Sequence, residues 1–113
     1  MDLSERYKRD EKFELSLVDI KLQAYAAINS LRKDYSDKKA VWAQPADEFN
    51  RADEGIEYDM LWESAKAEIR KNPSKAERFL DQWEPMAQRI LNTAQAVMGV
   101  LAKLQQENRV GVH

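Results

Sequence analysis

Apolar residues recur at helical spacing over most of this chain. Phe13, Leu17, Ile20, Ala24, Ala27, Leu31 and Tyr35 advance in steps of three and four, which sets them on one face of a helix. The pattern predicts a first helix over about residues 3–35. Leu15, Val18, Leu22, Tyr25 and Ala26 form a second stripe on nearly the opposite side. An ordinary surface helix has a single apolar stripe. Two stripes predict a helix covered on both sides, either inside a bundle or between subunits. They mark Leu15, Val18, Leu22 and Tyr25 as an oligomer interface, most simply that of an antiparallel homodimer.

A loop is expected over 36–50. Pro45 biases Gln44 away from helix and suits the first turn of a new one. Tyr58, Leu61, Trp62, Ala65 and Ile69 then share a face, predicting a helix over about 51–71. Asn50 followed by Asp53 resembles a capping box with Asp in place of Glu or Gln. Arg70, Lys71, Asn72 and Pro73 together make a stop. The last stripe is Phe79, Trp83, Met86, Ile90, Ala94, Val97, Leu101 and Leu104, over about 74–107. Pro85 lies inside it, lacks an N–H, and predicts a kink or split at 84–85. Ala94, Ala96, Gly99 and Ala102 are small enough to let another helix approach closely. Residues 108–113 read as a tail. No stretch alternates with period two, and no hairpin turn signal is present. The fold class is therefore all-α: a helical bundle of three long helices, the last kinked or split near Pro85, in one domain over 1–113.

Composition removes several chemistries. The chain has no cysteine, and its only histidine is His113. Disulfides, thiol nucleophiles, Cys-ligated metals and a His-based catalytic core are excluded. Gly55, Gly99 and Gly111 are isolated, so no phosphate loop is present. The start is charged rather than apolar. The stretch Met86–Lys103 is interrupted by Gln88, Arg89, Asn92 and Gln95, too polar for a bilayer core. A cytoplasmic protein without membrane attachment is expected.

Net charge is −2, but residues 45–63 hold seven acids against Arg51 alone. Asp47, Glu48, Asp53, Glu54, Glu57 and Asp59, with the nearby Trp42, form the candidate partner-binding surface. Acids at a helix start also stabilise the positive end of its dipole, which accounts for several of them without a partner. As a surface they suit a basic protein. Trp42 falls outside the stripes and is either an anchor on the bundle or a contact hot spot. Bases at 6–9, 32–33 and 38–39 are interleaved with acids. They read as a solvated face with i, i+4 pairs, so nucleic acid is not an expected partner.

Glu54 and Glu57 are spaced i, i+3, as are Asp81 and Glu84 on the next helix. Such pairs on antiparallel helices can hold Mg²⁺. The arrangement is similar to the all-α nucleotide pyrophosphohydrolases, whose pattern is Glu-x-x-Glu followed by Glu-x-x-Asp. Here the second pair is reversed, and helical phase turns Asp81 away from the apolar stripe. The resemblance implies a Mg²⁺-dependent hydrolase using Glu54, Glu57, Asp81 and Glu84. The leading expectation is different: a non-enzymatic protein–protein interaction module needing no cofactor. An adaptor, inhibitor, assembly or antitoxin-like role, of the kind phage and plasmid proteins fill, fits that description.

Overall fold

A computed structural model describes residues 2–110, and these are helical almost throughout. The elements are α1 (Leu3–Asp34), a short 3-10 turn (Ser36–Lys38), α2 (Lys39–Glu54), α3 (Ile56–Glu68) and α4 (Pro73–Val110). Among the described residues, no helix is long and apolar enough to cross a membrane. Residues 111–113, with His113, lie outside the described residues. The expected tail from 108 is helical as far as Val110.

Each boundary has a local cause. Asp2 caps α1 by accepting the Glu5 N–H at 2.8 Å, and Arg32 and Lys33 occupy the last turn, where cations are favoured. Asn72 precedes α4 and accepts from the Lys75 N–H at 3.4 Å. Pro73 then takes the first helical position, where a missing N–H costs nothing. Gly55 separates α2 from α3 with an extended backbone, φ −71° and ψ 131°. This is a conformation open to any residue.

Among the described residues the α-helices number four, not three, and the fourth arises where a loop was expected. Trp42, Ala46 and Phe49 are buried at i, i+4 and i+7 on α2. They form an apolar stripe that runs straight through Pro45. Packing of this face outweighs the single backbone bond that the proline removes. The expected helix start at Asn50–Asp53 is accordingly the end of α2. Nor does Pro85 split α4, which continues on both sides of it. Pro85 and Asp81 are both exposed, so the Asp81 carbonyl left without its donor faces solvent.

The helices make three rods. Arg6 of α1 meets Asp81 and Glu84 of α4. At the far end, Asp34 and Tyr35 lie beside Leu104 and Glu107, so α1 and α4 run parallel. The α2–α3 rod returns between these ends: Trp42 bonds Tyr35, Asp53 meets Lys21, and Trp62 stacks on Tyr7. The molecule measures 62 × 23 × 16 Å. Its length is that of α4, 38 residues at about 1.5 Å each.

Trp83 of α4 is fully buried and is the hub of an aromatic cluster. Its ring centroid lies 4.7 Å from Trp62, 5.6 Å from Tyr58 and 6.1 Å from Phe13. Elsewhere the core is thin and alanine-rich, with Ala24, Ala65, Ala87 and Ala94 inaccessible to solvent. These alanines permit the close approach of the rods. Ala96, Gly99 and Ala102 do not contribute, because all three face solvent.

Two substitutions test this packing by urea unfolding. A Cβ placed on Gly99 meets nothing within 4 Å, so Gly99→Ala should raise stability by about 0.5–1 kcal/mol through the backbone alone. Trp83→Ala should cost about 3–5 kcal/mol.

Candidate functional site

The second stripe of α1 stands in solvent. Leu15 is 63%, Val18 47% and Leu22 63% exposed, and Tyr25 is also exposed. The expectation that α1 is covered on both sides within the bundle is therefore corrected. Leu17, Ala24, Ile28 and Leu31 point into the core, and a helix at the edge of three rods has only that one inward face. Ile56 and Met60 add exposed apolar side chains on α3.

The acidic stretch is not one uniform surface. Asp53 is half-buried and accepts from the Lys21 ammonium at 3.2 Å and from the Tyr25 hydroxyl, tying α2 to α1. Lys21 also lies 5.1 Å from the centroid of the Tyr58 ring, within the range of a cation–π contact. Glu48 accepts from Gln44 at 3.2 Å within α2. Glu57 lines a small depression with Arg51, Met86 and Arg89. Asp47, Glu54 and Asp59 are exposed. Glu57 and Asp59 do occupy the first turn of α3, where the dipole favours them. Asp47 and Glu48 sit in the middle of α2, so that explanation does not extend to them.

Trp42 does not join these acids on the surface. It is 5% exposed, and its indole N–H donates to the Tyr35 carbonyl at 2.8 Å. The tryptophan is an anchor that fastens the start of α2 to the end of α1, so its place in the partner-binding surface is corrected. Its stripe was hidden in the sequence because Pro45 looked like a helix boundary.

The four carboxylates of the metal reading are not brought together. Gly55 interrupts the helix between Glu54 and Glu57, so the pair lacks the i, i+3 geometry of a single helix. Asp81 and Glu84 are taken by arginines. Arg6 reaches Glu84 at 2.5 and 3.2 Å and Asp81 at 2.6 Å, and Arg9 reaches Glu84 at 2.8 Å. The described residues contain no group of three or more His, Cys, Asp or Glu placed to hold a metal ion.

This network contains a residue that sequence reasoning passed over. Asp10 is 2% exposed, and its Oδ2 has no hydrogen-bond partner. Its neighbour across the helix interface is Glu84. Burial, and then the nearby Glu84 carboxyl, push the Asp10 pKa up to about 7. Burial would raise Glu84 as well, but its bonds with Arg6, Asp10 and Arg9 overcome this and hold it down at about 2. Titration of the two carboxyls is therefore linked: Asp10 is pushed toward its protonated form, while the arginines hold Glu84 ionised. The signal was in the spacing, because Asp10 is seven residues before Leu17 and continues the core stripe. Charge interleaving at 6–11 disguised it as solvated surface.

Two other buried polar atoms, the Tyr58 hydroxyl and the Trp83 indole nitrogen, have no hydrogen-bond partner. Burial raises the Tyr58 pKa further above its ordinary value. Both groups serve the aromatic cluster through their rings.

Compared with known protein families, with curated proteins and with solved structures, the chain matches none of them. The surfaces themselves carry the functional argument.

The Asp10–Glu84 pair has a measurable pH signature. Between the unfolded Asp10 value of 3.8 and the folded value of about 7, the folded chain holds a proton that the unfolded chain has released. Stability should therefore fall as pH rises through that window. Glu84 has the opposite sign, but its contribution is lost only as pH drops below 4.5 toward about 2. Urea unfolding at about pH 5 and about pH 8 should show the wild type less stable at the higher pH. Asp10→Asn, neutral at both, should remove most of the difference.

Proposed function

We propose that this chain is a cytoplasmic, non-enzymatic protein–protein interaction module, an adaptor or inhibitor, that works by docking a helix on the outer face of α1. The observation that carries this reading is the line Leu15–Val18–Leu22. Three large apolar side chains stand exposed on two turns of a helix whose opposite face is fully packed. Single exposed apolar residues are ordinary, whereas a contiguous set is a feature of interaction sites. The i, i+3, i+7 spacing is the anchor pattern of helix recognition. Of the four acids that would serve hydrolysis, Asp81 and Glu84 are instead engaged by Arg6 and Arg9, and Gly55 separates Glu54 from Glu57, which favours a binding role over a catalytic one.

If the face serves binding rather than folding, its loss should leave the chain stable. Leu15→Ser with Leu22→Ser should shift the unfolding free energy by no more than about 0.5 kcal/mol each. Leu17→Ala, in the core one residue away from the line, should cost about 2–5 kcal/mol. Light scattering at low and high concentration reads self-association directly. Any dimer built on this face should dissociate in the double variant. A dimer that persists in that variant would overturn the assignment of the face.

A further inference from the structure

Resting on that reading, the geometry points to the kind of partner: an amphipathic helix with basic flanks, not a second copy of this chain. The rim of the apolar line decides it. Glu14, Lys21 and Tyr25 lie along α1 immediately beside Val18 and Leu22, three or four residues away in sequence and so adjacent on the helix surface. That same edge abuts the end of α2 and α3, since Lys21 and Tyr25 both reach Asp53 and Lys21 covers the Tyr58 ring. The apolar line therefore borders the most acidic part of the chain.

The charge of this border follows from the sequence. Over 11–22 and 53–63 the acids are Glu11, Glu14, Asp19, Asp53, Glu54, Glu57, Asp59 and Glu63, against Lys12 and Lys21 alone. Leaving out Glu57, which lines a depression with Arg51 and Arg89, the net along the rim is −5. Lys21 is already neutralised by Asp53 at 3.2 Å. Three tyrosines along this edge register the same field. Asp53 and Glu54 raise Tyr25, Glu14 and Asp59 raise Tyr58, and Glu11, Glu63 and Glu14 raise Tyr7, each after burial. Arg70 lowers Tyr7 at the far end of the edge.

A second copy docking face to face would set one such rim against another, and like charges in register oppose association. Phosphate-bearing surfaces are opposed for the same reason. A helix with leucines at i, i+3/i+4 and i+7 and lysines beside them satisfies both the apolar line and the rim.

The test uses the full chain and two fluorescein-labelled peptides of about 18 residues. Both carry leucines at these spacings; one has lysine flanks and the other glutamate flanks. Fluorescence anisotropy at about 50 mM salt should show the lysine peptide binding at least about tenfold tighter, an advantage that shrinks as salt screens the rim. Val18→Ser with Leu22→Ser should weaken it about tenfold. Asp59→Lys with Glu63→Lys should reverse the preference. Asp34→Lys with Glu107→Lys makes the same change of net charge at the far end of the molecule and should leave the preference intact. Equal binding of the two peptides, no binding of either, or an equal effect of the remote pair would each overturn the inference. A concentration-dependent dimer abolished by Val18→Ser with Leu22→Ser would overturn it too, while leaving helix docking on α1 standing.

Discussion

Trp83 sets the register of the whole molecule. Its indole meets Phe13 of α1 and both Tyr58 and Trp62 of α3, so one residue of α4 aligns two other rods at a single level. Aromatic pairs at these separations are favourable beyond the area they bury. The arrangement also explains why Lys21, Tyr25 and Asp53 meet farther along, where α3 gives way to α2. Once the cluster fixes α1 against α3, about two helical turns beyond Phe13 carry α1 to Lys21 and about three carry it to Tyr25. The Arg6–Glu84 network lies at the same level as the cluster and adds charge pairing where the aromatic packing ends.

Three rods around one line share a core about one side chain thick. Such a core can use one face of each outer helix. The inward face of α1 is spent on Leu17, Ala24, Ile28 and Leu31, and the described residues supply no fourth rod to cover Leu15, Val18 and Leu22. The exposed line is thus a geometric consequence of a doubly apolar helix in a bundle of this cross-section. The buried Asp10 obeys the same constraint from the opposite direction. It occupies a core position on α1, and the thin core places it against Glu84, where burial and the second carboxyl favour its protonated form and Arg9 reaches its Oδ1 at 3.4 Å.

The all-α class, the spans of α1 and α4 and the capping at Asn72–Pro73 were legible because long apolar stripes and terminal capping residues are local signals. The middle of the chain was not, and proline accounts both for the missed helix and for the expected split. At Pro45 a strong local preference hid the short stripe Trp42, Ala46, Phe49. At Pro85 the same preference predicts a kink or a split, and of the two it is the split that is absent, because packing carries α4 on through the proline. The real division falls at Gly55, which carried no special weight in the periodicity. The exposed face of α1 was visible as a stripe, but whether a second stripe is covered depends on how many rods the chain supplies, which spacing does not encode. The role of Asp10 depends on a residue 74 positions away, Glu84, and so required the tertiary fold.

The interruption at Gly55 divides the middle rod into two segments with separate attachments. α3 is held by the aromatic cluster and α2 by the Trp42–Tyr35 bond and the Asp53 contacts. Helical hydrogen bonding does not propagate across the extended glycine. Opening of one segment therefore does not unzip the other through the backbone hydrogen-bond ladder. Because α1 and α4 span both segments, what couples α2 to the half organised around Trp83 is side-chain packing in one shared core, with Trp42, Ala46 and Phe49 as its α2 members, and not a continuous helix.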